Sequence, residues 1–217
     1  RARSNHDSST DSFGSTTISN GTLKLTANAA ASTVVDNASA IVFNANTAAG
    51  SAGGTLQFTG FTGAATTESL GALTPTAGAG TIILVGSSAA ANLTFASLGA
   101  TTAASSVNFV TTGGGGGTIT LTGQSTTTAT NLPGTANFQG HLYINGADFA
   151  AMNAPQVITP AYGTTTGFVN AAAALTASNH NLLTGSFTTP GAVTVSSLKL
   201  TTQTLTLGGN LTLSTGG

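Results

Sequence analysis

The chain has 217 residues, and Thr, Ala, Gly and Ser supply about three-fifths of them, far above ordinary usage. Charged residues are 4%, the formal net charge is −1 and 40% of residues are hydrophobic. This excludes a basic nucleic-acid binder, whose phosphate contacts need more cations than Arg1, Arg3, Lys24 and Lys199, and a chain disordered by self-repulsion. The apolar runs, such as residues 82–85, are too short for a membrane-spanning helix. With no cysteine, disulfides, thiolate metal sites and cysteine nucleophiles are excluded as well.

Residues 1–12 are polar and are expected to form an arm or a disordered segment. The chain opens on Arg1 with no charged-then-apolar leader, which suits a processed product or a segment of something longer. From residue 13 to residue 217 a single β domain is expected. Its apolar residues alternate with a period of two, in Thr22-Leu23-Lys24-Leu25, Thr55-Leu56-Gln57-Phe58, Asn92-Leu93-Thr94-Phe95, Ser106-Val107-Asn108-Phe109, Thr118-Ile119-Thr120-Leu121, Thr204-Leu205-Thr206-Leu207 and Asn210-Leu211-Thr212-Leu213. Each puts apolar side chains on one face and Thr, Asn or Gln on the other, the mark of a half-buried strand. Turn chemistry separates them at Asn20-Gly21, residues 50–54, residues 113–117, Pro190-Gly191 and Gly208-Gly209. The Ala cluster at residues 171–174 is one turn long and predicts no helix.

One phrase recurs: Gly21-Thr22-Leu23-Lys24-Leu25, Gly54-Thr55-Leu56-Gln57-Phe58, Gly80-Thr81-Ile82-Ile83-Leu84 and Gly117-Thr118-Ile119-Thr120-Leu121, with starts 33, 26 and 37 residues apart. Imperfect repeats of short strands predict an all-β solenoid, a parallel β-helix with irregular rungs, ahead of a β-sandwich. Between about residues 130 and 176 the phrase lapses. That stretch holds both tyrosines, the sole methionine (Met152) and three of the five prolines (Pro133, Pro155 and Pro160). Proline cannot donate to a ladder, so longer projecting loops are expected there.

The Gly-Thr-Leu phrases, together with Glu68-Ser69-Leu70-Gly71-Ala72-Leu73, Leu93-Thr94-Phe95-Ala96-Ser97-Leu98, Leu142-Tyr143-Ile144-Asn145-Gly146 and Val193-Thr194-Val195-Ser196-Ser197-Leu198, resemble autotransporter-associated β-strand repeat proteins. The resemblance is to the long Thr/Gly/Ala-rich surface proteins of planctomycetes and verrucomicrobia, and it runs from about Phe13 to the end. It implies a right-handed parallel β-helix, exported to the bacterial cell surface or the extracellular space. It lends no catalytic residues, because its motifs are structural repeats.

Reactive groups are scarce. The carboxylates are Asp7, Asp11, Asp36, Glu68 and Asp148. They are too scattered for the paired acids of a polysaccharide-cleaving enzyme. Glu68 reads as a solvated turn residue. His6, His141 and His180 are far apart, lack zinc-site spacing and read as surface or loop histidines. His141 and Asp148 lie close together but lack a nucleophile-elbow motif. The glycines at 113–117 lack the Lys-Ser or Lys-Thr of a phosphate loop. Thr-x-Thr arrays such as residues 118–122 suggest ice binding, but their spacing is too irregular for a flat, matched face. The Asn-x-Ser/Thr matches at Asn20, Asn37, Asn92 and Asn210 are expected by chance in so Ser/Thr-rich a chain.

The reading that follows is a non-catalytic structural protein with no metal or cofactor. It is expected to be a subunit or segment of an extracellular filament, sheath or surface layer that meets copies of itself, or further repeats of one long chain, head to tail. The second reading is a surface adhesin or passenger module that binds a glycan or host surface. Any specific contact surface is expected around His141, Tyr143, Asp148 and Tyr162, unless Tyr143 and Phe149 merely pack a wider rung.

Overall fold

The computed structural model describes residues 14–30, 34–45, 53–99, 105–123, 142–153, 157–160, 162 and 168–213. The described residues are all-β, and no helix occurs among them. The first eleven strands are β1 (Ser15–Ile18), β2 (Thr22–Thr26), β3 (Ala40–Asn44), β4 (Thr55–Thr59), β5 (Thr66–Gly86), β6 (Ala91–Leu98), β7 (Ser105–Gly113), β8 (Gly117–Leu121), β9 (Leu142–Ile144), β10 (Asp148–Asn153) and β11 (Val157–Pro160). Seven short strands follow: β12 (Phe168–Ala171), β13 (His180–Leu183), β14 (Phe187–Thr188), β15 (Val193–Val195), β16 (Ser197–Lys199), β17 (Leu205–Thr206) and β18 (Leu211–Leu213).

Two ladders run through the first nine strands, and both are parallel. One joins β1, β3, the first half of β5, β6 and β8. The other joins β2, β4, the second half of β5, β7 and β9. Because β5 is 21 residues long, it serves both, pairing through residues 66–73 with β6 and through residues 78–86 with β7. At the start of the second half Gly78 has φ 72°, and a Cβ there would lie 2.3 Å from the Ala45 Cβ, so only glycine suits the position.

In-register pairing stacks like on like. Leu23, Leu56, Ile82, Phe109 and Ile144 form one column of neighbours across the ladder, and Leu25, Phe58 and Leu84 form a second. On the opposite ladder Leu70, Phe95 and Leu121 stack in the same way. These inward residues form one continuous core in which Phe58, Phe95 and Phe109 are completely buried. Burial of each such side chain contributes about 2–3 kcal/mol. The outward column Thr22, Thr55 and Thr81 continues into Asn108, whose carboxamide Oδ1 accepts the Gly146 N–H at 2.7 Å.

The expected right-handed parallel β-helix, or solenoid, is not what forms. After β9 the chain turns back on itself. Asn145 and Gly146 adopt φ 53° and 63°, and the Ala147 N–H donates to the Ile144 carbonyl at 3.1 Å. Positive φ at both central residues gives a reversal that matches strand twist and produces a hairpin. β10 therefore runs antiparallel to β9, β11 antiparallel to β10, and β11 antiparallel to β8. The pairings close a ring of seven strands, in the order β5, β6, β8, β11, β10, β9, β7 and back to β5. The result is a closed barrel of mixed strand orientation. A parallel coil requires every rung to advance in one sense, and these three antiparallel pairs break that condition. The alternative, a β-sandwich of two antiparallel sheets, fares no better, because the other twelve pairings among the described residues are parallel.

Beyond the barrel, β12, β13 and β16 form a parallel three-stranded sheet. β14 pairs with β17 and β15 with β18, both parallel. The polar residues 1–12 lie outside the described residues.

Candidate functional site

The densest collection of polar and aromatic chemistry lies where β10 of the barrel meets the β12–β13–β16 sheet. Parallel register places Phe168, His180 and Ser197 in one row across that sheet. The Phe168 and His180 rings stack with centroids 4.2 Å apart and planes 7° from parallel. The next neighbour in the row is Ser197, whose Oγ shares a 2.8 Å hydrogen bond with His180 Nδ1. Phe149, at the start of β10, fills the centre of the cluster. Its ring lies 5.9 Å from Tyr143, 6.3 Å from Tyr162, 6.2 Å from Phe168 and 5.9 Å from His180. Edge-to-face and offset contacts of this kind add to the gain from burial.

Ionic groups border the rings. Lys199 of β16 places its Nζ 3.7 Å from Asp148 Oδ1 and 5.4 Å from the centroid of Tyr162. The ammonium is therefore shared between a carboxylate and an aromatic face. Asp148 is held above the usual carboxylate range, chiefly by burial, against the opposing pull of Lys199 and of the Phe149 and Tyr162 backbone N–H groups. Burial also raises the Tyr162 phenol, whose hydroxyl donates to the Asn181 carbonyl at 3.4 Å. His180 is displaced downward by burial alone, which favours a neutral imidazole.

The residues singled out in the sequence divide here. Asp148 and Tyr162 lie in the cluster, and Tyr143 forms its exposed edge, stacked on Phe149 at 24°. His141 lies outside the described residues. Sequence reading did not place His180, Ser197 and Lys199 with them. His180 is buried rather than a surface or loop histidine, since parallel pairing of β12 with β13 sets it against Phe168.

Glu68 needs a similar correction. It is not a solvated turn residue but a fully buried one, seated on β5 beside Leu93 and Ile119 in an otherwise apolar column. Its two oxygens accept the backbone N–H groups of Val34 at 2.9 Å and Val35 at 3.0 Å. The carboxylate satisfies donors that lie outside any strand, where no ladder is available to pair them. Burial raises Glu68, and these two bonds oppose the rise.

Among the described residues no group of three or more His, Asp or Glu side chains is arranged to hold a metal ion. Among the same residues no helix is long and apolar enough to cross a membrane. No protein-family model, curated protein or solved structure matches this chain.

Proposed function

We propose that this chain is a non-catalytic structural subunit of an extracellular filament, sheath or surface layer, joined to copies of itself strand edge to strand edge. One observation carries the reading. The last strands of the three smaller sheets, β16, β17 and β18, have no partner on their outer edges among the described residues. Beside them Leu200, Leu207 and Leu213 are 48%, 47% and 57% exposed. Exposed apolar side chains along open strand edges are an invitation to strand addition, which soluble proteins usually block. The first strands, β1 and β2, also pair on one side only among the described residues.

A second copy is the favoured partner because twelve of the fifteen strand pairings among the described residues are parallel, and several of them match like side chains. Thr22 faces Thr55, Leu23 faces Leu56 and Thr194 faces Thr212. Edges with this preference are best met by another Thr-Leu-x-Leu strand, or by further repeats of the same long chain. A contact between different edges of two copies does not close on itself, so it produces filaments. The Thr-rich, charge-poor composition and the resemblance to autotransporter-associated repeat proteins support a bacterial cell-surface or extracellular location.

The test is to place a charge on the open edges. Leu207→Lys and Leu213→Lys alter exposed side chains, so the fold should survive, as circular dichroism and thermal melting will show. Light scattering over a concentration series should report assembly by the parent chain and none by the double variant. Equal assembly by a folded double variant would contradict the proposal.

A second reading, a glycan-binding adhesin module, draws on Tyr143, which is exposed and stacked on Phe149. Such a ring can stack on a sugar face. Tyr143→Ser would abolish glycan-array binding under that reading and leave assembly unchanged.

A further inference from the structure

The pairing of Lys199 with Asp148 is unusual for an ion pair. The Nζ to Oδ1 distance of 3.7 Å is too long for a hydrogen bond, and Oδ1 is buried without any hydrogen-bond partner. An orphaned buried carboxylate oxygen facing an amine is a costly arrangement if the two groups serve only as charges. It also brings an amine against a carboxyl oxygen that has no other partner. We infer that Lys199 and Asp148 form a side-chain amide cross-link between β16 and β10.

The step needs no cofactor. A proton passes within the pair from the Lys199 ammonium to the Asp148 carboxylate, giving a neutral amine and a neutral acid without changing the total proton count. Burial of the Asp148 carboxyl group, whose Oδ1 is shut away from solvent, favours its neutral acid form. The raised titration of Asp148 agrees with this preference. The amine lone pair then attacks Asp148 Cγ, forming the C–N bond. Negative charge develops on a carboxyl oxygen, toward which the Phe149 and Tyr162 backbone N–H groups donate. Collapse breaks a C–O bond, and the leaving oxygen departs as water, carrying the proton of the former acid and one proton from nitrogen. One amide forms and one water is lost.

Position supports the chemistry. The fold holds the amine 3.7 Å from a carboxyl oxygen of its partner, and such pre-positioning replaces a bimolecular encounter. The link would bridge residues 51 apart in sequence and tie the β12–β13–β16 sheet to the barrel. The inference stands independently of self-assembly, because it rests on contacts within one chain.

Mass spectrometry of the purified chain tests it. The intact mass should fall short of the sequence mass by one water. Digestion of the denatured chain with trypsin should leave residues 25–217 as one piece, because acylated lysine is not cut and Lys199 is the last cation in the sequence. Lys199→Arg and Asp148→Ala should each restore the full mass, and both should release residues 200–217. These readouts are made on unfolded protein, so they hold whether or not the variants fold. Release of 200–217 from the parent chain at full mass would overturn the inference. So would a one-water deficit that persists in Lys199→Arg, since that would place the dehydration elsewhere.

Discussion

Glu68 and His180 are polar side chains at positions that alternation would give to hydrophobes, and each is held by a distant partner. Removing the Glu68 carboxylate with Glu68→Ala leaves the Val34 and Val35 N–H groups without acceptors. That should cost about 2–4 kcal/mol, read as a lowered urea midpoint at neutral pH. The two residues also shape the pH dependence, in opposite directions. Burial raises Glu68 above its ordinary 4.5, so its stabilising contribution is complete below pH 4.5 and is lost as pH rises through the shifted value. Relative to Glu68→Gln, the parent chain should therefore lose stability as pH is raised from 4.5 toward neutrality. A difference that stays constant over that range would contradict the burial account. His180 is displaced below its ordinary 6.5, so its contribution is complete above pH 6.5 and is lost as pH falls through the shifted value. His180→Phe should flatten that acid-side loss in a series of thermal melts, while leaving the Glu68 trend in place. Neither site was legible in sequence. The partners of Glu68 lie 33 and 34 residues away and that of His180 lies 17 away, so only the folded register creates the environments that bury them.

At the scale of the strands, the period-two pattern was legible because half-buried strands impose it directly. The stacking of phrases was legible in part. The phrases beginning at Gly21, Gly54 and Gly80 do lie side by side in one ladder. The phrase beginning at Gly117 does not join them: Thr118 pairs with Asn92 in the other ladder, while Asn108 takes the fourth place beside Thr81. Similar words can be exchanged between two ladders without violating the alternation, so the words alone could not assign the partners. Shape complementarity decides more finely. A Cβ on Gly80 would lie 2.5 Å from the Phe43 ring, and both residues are buried. Gly80→Ala should cost about 1–3 kcal/mol through overpacking. Phe43→Leu should recover part of that loss in the double variant, and additive losses in urea titrations would show that the ring is not the obstacle. The hairpin at Asn145-Gly146 offers a sharper test. Gly146 has φ 63°, so Gly146→Val should cost about 1–2 kcal/mol or more in the same assay. The Asn-Gly dipeptide was a visible turn signal that the repeat pattern overshadowed, and it marks the reversal that makes the barrel mixed rather than uniformly parallel.

For the whole molecule, closure and openness sit side by side. The ring from β5 around to β7 leaves no free edge among its seven strands, and its interior is filled by Leu, Ile and Phe columns. The smaller sheets after residue 168 are different. They carry open outer edges and the exposed Leu200, Leu207 and Leu213. A closed barrel resists strand addition, whereas an open sheet with apolar neighbours favours it, so growth should begin at the C-terminal sheets. The cluster around Phe149 joins the two parts through aromatic packing and the Asp148–Lys199 contact. Negative-stain electron microscopy of the purified chain over a rising concentration series tests the structural role most directly. End-to-end particles should lengthen with concentration, and should become isolated single particles in the Leu207→Lys, Leu213→Lys double variant. A field of dispersed monomers from the parent chain at every concentration would contradict that role.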